Sequence, residues 1–128
     1  MALKISLKPG EKMIIGGAVV KNGDSKAELF IENKVLLLRE KDILSEADAR
    51  TVAQKIYFTV QLMYIDQENL IDHHNTYWNY VKEMTKAAPS TITTIDQISE
   101  KIVGNHYYQA LKLARKLIDY EKEIMSRV

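Results

Sequence analysis

The spacing of apolar residues changes once along this chain, at Ser45, and that change limits the folds open to it. Before Ser45 the apolar positions alternate: Leu3, Ile5 and Leu7 interleave with Lys4, Ser6 and Lys8, the two-residue period of a strand with one buried face. After Ser45 they recur every three or four residues, as on a helix. Ala49, Ala53, Ile56, Tyr57, Val60, Met63 and Tyr64 share one such stripe. Strands first and helices after is the signature of the α+β class. The reading is a small antiparallel β unit of four to five strands over residues 1–44, then a bundle of about four α-helices over residues 45–128.

Turn chemistry divides the first part. Pro9-Gly10 suits a tight turn, since proline presets φ and glycine tolerates positive φ at the next position. Met13-Ile14-Ile15 is a second strand, stopped by Gly16-Gly17, and Ala18–Lys21 a third. Asn22-Gly23 predicts a hairpin into a fourth, Ala27–Glu32, with Leu29 and Ile31 on one face. Asn33-Lys34 is a further turn into the fully apolar run Val35–Leu38. Short strands joined this way predict a meander or a small barrel.

In the second part Ser45 is expected to cap the first helix, with Asp48 as its capping-box partner. Asp66-Gln67 breaks that helix from a second, whose stripe is Leu70, His74, Tyr77, Val81 and Met84. Ala88-Pro89-Ser90 ends it. Thr94-x-x-Gln97 predicts a capped start for a third helix carrying Ile95, Ile98 and Ile102. Asn105 is expected to cap a fourth, with Tyr107, Leu111, Ala114, Ile118 and Met125 inward. A β unit of about forty residues is near the lower size limit for independent folding, so it should lean on its own helices or on a second copy in a homodimer.

Composition excludes several classes of function. The 128 residues contain no cysteine, which removes disulfides, thiolate catalysis and cysteine-based metal sites and suits the cytoplasm. The net charge of +1 makes no case for a polyanion partner from the whole molecule. Residues 1–43 hold eight Lys/Arg against six Asp/Glu, and the rest ten against eleven. The longest runs free of charge, such as Ile56 to Ile65, are half the roughly 20 residues of a membrane span. Gly16-Gly17 lacks the spacing of a nucleotide-binding loop, no nucleophile and base are patterned together, and no cofactor is expected. His73 and His74 point about 100° apart on a helix and make a poor metal pair. Glu121 and Glu123 near a helix end read as solvated carboxylates.

The run Leu7-Lys8-Pro9-Gly10-Glu11-Lys12, then Ile14-Ile15-Gly16-Gly17-Ala18-Val19-Val20, Asn22-Gly23 and Leu37-Leu38-Arg39-Glu40-Lys41-Asp42-Ile43-Leu44, resembles the FlbT family of flagellar-biosynthesis repressors. Ile56-Tyr57-Phe58 and Gln61-Leu62-Met63-Tyr64 agree with it. The resemblance implies a non-enzymatic cytoplasmic repressor acting after transcription, on the leader of flagellin mRNA. It also implies flagellin or the FlaF assembly factor as possible protein partners. Gly10-Glu11, Ile15-Gly16, Arg39-Glu40 and Ile43 are also similar to the carbon-storage regulator family of dimeric all-β RNA-binding proteins. That second resemblance gives Arg39 the role of an RNA contact, whereas Leu7 stands where that family has its other contact arginine.

The RNA-binding candidates are therefore Arg39, Lys8, Lys4, Lys41 and Lys34, with Lys12 as a further cation of the unit. Their other reading is the solvated face of a half-buried sheet. Arg39 is favoured because a planar guanidinium can fork onto guanine O6/N7 or a phosphate. Tyr77, Trp78, Tyr80, Tyr107 and Tyr108 could stack bases, although their helical spacing places most in a core; Tyr108 lies off the stripe. The apolar helix Ile56–Ile65 offers a rival function, a groove that receives an amphipathic helix.

Overall fold

The computed structural model describes residues 3–127, and the chain divides into two compact units, Met1–Ile43 and Leu44–Val128. The first holds five strands: β1 (Leu3–Leu7), β2 (Lys12–Ile15), β3 (Ala18–Lys21), β4 (Ala27–Ile31) and β5 (Leu37–Arg39). The second holds four helices: α1 (Val52–Ile65), α2 (Leu70–Ala87), α3 (Ile92–Val103) and α4 (Tyr107–Ser126). The α+β class stands.

The strands do not form the expected meander. All pairings are antiparallel, but they make two sheets, β1–β4 and β3–β2–β5. The hairpin lies at Gly16-Gly17, where both residues have positive φ (57° and 89°), the conformation a two-residue primed turn demands. Gly16 is required twice over, because a Cβ there would stand 3.0 Å from Val35 Cγ2. Its amide also donates to the Leu36 carbonyl, extending the β2–β5 ladder.

Asn22-Gly23, expected to turn a hairpin, ties a different turn instead. The Asn22 backbone amide donates to Glu11 O, Gly10 N–H donates to Gly23 O, and the Asn22 side-chain amide reaches the carbonyls of Leu7 and Lys8. β3 and β4 consequently do not pair with each other, and β4 crosses to β1 with Ile5 opposite Leu29. The alternation in β1 holds at Ile5 and Leu7, which with Met13 form the core of the unit against Ile15, Leu29, Ile31 and Leu37. The apolar run before Arg39 contributes only Leu37 and Leu38 to β5; Val35 and Leu36 precede the strand.

Several caps fall elsewhere than expected. Ser45 caps a 3-10 turn at Glu46–Asp48, accepting from the Asp48 amide. The cap of α1 is Thr51, in a full box with Gln54: the hydroxyl accepts from Gln54 N–H while the amide oxygen accepts from Thr51 N–H. The α3 helix begins at Ile92 after a 3-10 turn opened by Pro89, so Thr94 lies inside it and caps nothing. Asn105 takes a positive φ of 62° and closes α3, leaving α4 to start at Tyr107. Thr-x-x-Gln occurs twice in the sequence, and nothing local tells the box that is used from the one that is not.

The α1 helix is the hub of the second unit and packs on both α2 and α4, with α3 against α4. Ile56, Val60 and Met63 of α1, Ile95 and Ile98 of α3, and Ala114 and Leu117 of α4 are buried. Met125, expected inside, is 63% exposed. Glu121 is no solvated carboxylate: its Oε2 accepts from the Ala53 amide, 68 residues away, and so satisfies a free N–H at the start of α1.

Candidate nucleic-acid interface

The β1–β2 turn is built by Lys8-Pro9-Gly10-Glu11. Glu11 N–H donates back to Lys8 O, and Gly10 has φ 72°, as a turn with proline second and glycine third requires. The Glu11 side chain doubles the closure, since its Oε1 accepts from the Lys8 amide at 2.9 Å. Asn22 fastens the same turn from the far side. A short loop of the first unit is thereby rigid.

Beside that turn opens a cleft of about 970 Å³, walled by residues of the first unit alone. Ser6 and Leu7 come from the end of β1, Lys8 to Glu11 from the turn, Lys26 from the segment before β4, and Arg39, Glu40 and Lys41 from the end of β5. Four cations face two carboxylates. The split of charge along the sequence gave little hint of this concentration, because the β2–β5 pairing and the Arg39 side chain bring the end of β5 to the turn.

Arg39 is fixed in the wall. Its Nη2 donates to Ser6 O at 3.1 Å and to Glu11 Oε2 at 3.2 Å, leaving its side chain 40% exposed and that of Glu11 15%. The Nε of Arg39 is buried and has no partner. The Lys8 amide first, then the Arg39 guanidinium, hold the Glu11 carboxyl below its ordinary pKa of 4.5, so Glu11 is an anion throughout the neutral range.

Of the residues singled out from sequence, Arg39, Lys8 and Lys41 come together in this cleft. Lys26 joins them and was missed; it lies in a polar loop with no motif to mark it. Lys4 is elsewhere, on the outer side of β1, 3.4 Å from Glu28. Lys34 is exposed in the loop before β5, outside the lining of the cleft. Leu7, at the position of the absent second arginine, is a core residue. The open fork expected of Arg39 is not what the structure presents, since one of its terminal nitrogens is fully engaged.

The aromatic candidates separate by burial. Tyr77 and Tyr107 are core residues, and burial raises the phenol of Tyr77 to a pKa of about 12 despite its bond to Ser99. Tyr108 is exposed under the Lys112 ammonium, 4.7 Å from its ring centre. Trp78 is exposed edge-on to Tyr77. None of these rings lines the cationic cleft. His73 is committed to Asp66 at 3.0 Å, and among the described residues no group of three or more His, Asp or Glu is arranged to hold a metal ion. Among them, too, no helix is long and apolar enough to cross a membrane.

A second, smaller hollow of about 390 Å³ lies in the helical unit. Lys55, Phe58, Thr59 and Leu62 share one face of α1, and His73, Thr76 and Tyr80 one face of α2.

The sequence model of the flagellar protein FlbT matches residues 3–125. The chain belongs to the FlbT family. It is similar to the "Flagellum biosynthesis repressor protein FlbT" of Caulobacter vibrioides, 40% identical over 130 residues that cover 100% of this chain and 92% of that protein. It is likewise similar to the "Probable flagellum biosynthesis repressor protein FlbT 1" of Bradyrhizobium diazoefficiens, 44% identical over 97% of this chain and 85% of the relative. A relative from Caulobacter sp. strain K31 is 41% identical across essentially the full length of both. These relatives are named as repressors of flagellum biosynthesis. No solved structure matches the chain.

Proposed function

We propose that this FlbT protein represses flagellum biosynthesis after transcription, by binding the leader of flagellin mRNA in the cleft of its β unit. The observation that carries the reading is the cleft itself, where Lys8, Lys26, Arg39 and Lys41 converge on a turn held rigid by Asn22 and Glu11. Cations gathered around a braced turn suit a phosphate backbone, because each phosphate they neutralise releases counterions. The shared resemblance of Arg39-Glu40 to the terminal strand of the carbon-storage regulators supports the same choice. Lys4 and Lys34, outside the lining, contribute at most to the field around the RNA.

The test is a titration of flagellin-leader RNA at two salt concentrations. Phosphate contacts predict affinity that falls steeply with salt, and Arg39→Ala should weaken binding by about 1–3 kcal/mol without unfolding the protein. Salt-indifferent binding, or full affinity in Arg39→Ala, overturns the reading.

The hollow between α1 and α2 favours a second reading. Phe58, Leu62 and Tyr80 could receive apolar side chains of an amphipathic helix from flagellin or from the FlaF assembly factor, with an indirect effect on the message. Such binding would hardly respond to salt. A homodimer fits either reading, given the small core of the β unit; light scattering that shows a strict monomer at micromolar protein would exclude it.

A further inference from the structure

We propose that Glu11 is a latch on Arg39, and that an RNA phosphodiester must displace it before the guanidinium can grip with two parallel bonds. The inference rests on the reading of the cleft as an RNA site. A guanidinium has two edges able to make a bidentate contact, Nη1 with Nη2 and Nε with Nη2, and both include Nη2. In Arg39 the Nη2 group already serves two acceptors, Ser6 O at 3.1 Å and Glu11 Oε2 at 3.2 Å. The latched arginine can therefore offer a ligand only Nη1, a single-nitrogen contact that any lysine could imitate.

Two features indicate that this state is a resting one. The latch is built from outside the arginine: Glu11 is 15% exposed and its other oxygen accepts from the Lys8 amide, so its place at the turn does not rest on Arg39 alone. The Nε of Arg39 is buried with no acceptor, and a buried donor left unbonded is unfavourable. Nε is enclosed while Glu11 holds its place, so the phosphodiester reaches the Nε/Nη2 edge only as Glu11 leaves, supplying that acceptor with one oxygen and taking the place of Glu11 with the other. The latched arginine thus lacks the bond that the proposed ligand carries. Glu11 then sets a threshold: weak anions meet an arginine already neutralised, while a phosphate positioned by Lys8 and Lys26 can exchange places with the carboxylate.

The test uses fluorescence anisotropy with a short single-stranded flagellin-leader RNA and the full chain. Glu11→Gln removes the charge; Glu11→Asp keeps it but draws the carboxylate back by one methylene, out of reach of Nη2. Two substitutions are compared so that a folding failure in one, seen by circular dichroism, leaves the other informative. The latch predicts that both tighten RNA binding by about three- to tenfold, the scale of a partly exposed charge pair, and that the gain vanishes when Arg39→Ala is added. Tightening by Glu11→Gln alone overturns the latch, because Glu11 would then act only as a nearby negative charge. Weaker binding in both variants also overturns it, since Glu11 would then hold Arg39 in its productive pose. If wild type binds and Arg39→Ala does not, while neither Glu11 variant differs from wild type, the latch falls and the RNA reading survives. If no form binds RNA, both fall.

Discussion

The helical unit and the β unit bury their apolar side chains by unequal means, and the difference decides where the chain can carry a binding site. In the helices every backbone bond is local, so α1 can surround itself with α2 and α4 and still have its donors met, at its start by Thr51 and by Glu121. Its order is spread over many positions. In the β unit β2–β3 is a local hairpin but β1–β4 and β2–β5 join segments far apart in the chain, and single residues, Gly16 at the hairpin and Asn22 behind the turn, fix the geometry. The cleft is walled by turns and strand ends of this second kind. Turns and strand ends there bring polar side chains together, whereas the start of α1 is already occupied by Thr51 and Glu121.

The contrast can be broken from either side. The largest effect is expected deep in the helices: Ile98→Ala, at a side chain with no exposure, should cost about 2–5 kcal/mol in denaturant unfolding. RNA affinity measured well below the transition should not change. Gly16→Ala attacks the other unit, combining a positive φ with a 3.0 Å approach to Val35, and should cost about 1–3 kcal/mol. It should lower RNA binding while leaving far-UV helical ellipticity intact; loss of helix at the same temperature as the β unit would mean the two do not differ as argued. Thr51→Ala removes one of two groups serving the start of α1, and calorimetry should find only about 1 kcal/mol.

The smallest effect should be electrostatic. Folding lowers the pKa of Glu11, so its contribution to stability is complete above pH 4.5 and is lost as pH falls through the depressed folded value. The stability gap between wild type and Glu11→Gln should therefore shrink in acid. Tyr77 has the opposite sense: a phenol raised from 10 to about 12 stabilises the helical unit below pH 10 and loses that contribution as the pH climbs toward 12. A spectrophotometric titration should find Tyr77 ionising late, with Tyr107 also delayed by its burial.

The helices were legible because their stripes are long; Ile56, Val60, Tyr77, Ile98 and Leu111 fall inside as their spacing requires. Their first turns were less so, since whether Thr51 or Thr94 caps a helix depends on where the preceding chain is held. Strands β1 to β4 could be read from alternation and turn residues, but not their partners. Asn22-Gly23 satisfies the rules of a hairpin, yet its side chain is bound by carbonyls fourteen and fifteen residues back. Pairing is a contest between distant segments that local chemistry does not register. For the same reason Arg39 could be named but its engagement by Glu11 could not, nor could the arrival of Lys26 beside it.

The bond from Glu121 to the Ala53 amide also bears on the order in which the molecule is made. During synthesis every pairing of strands is available once β5 has left the ribosome. The first helix must wait for nearly all the remaining chain before its leading turn is closed by that carboxylate. A nascent polypeptide stalled at residue 110 would thus hold all five strands but a bundle whose first helix still lacks that carboxylate, and pulse proteolysis of ribosome-bound chains should cut after residue 44.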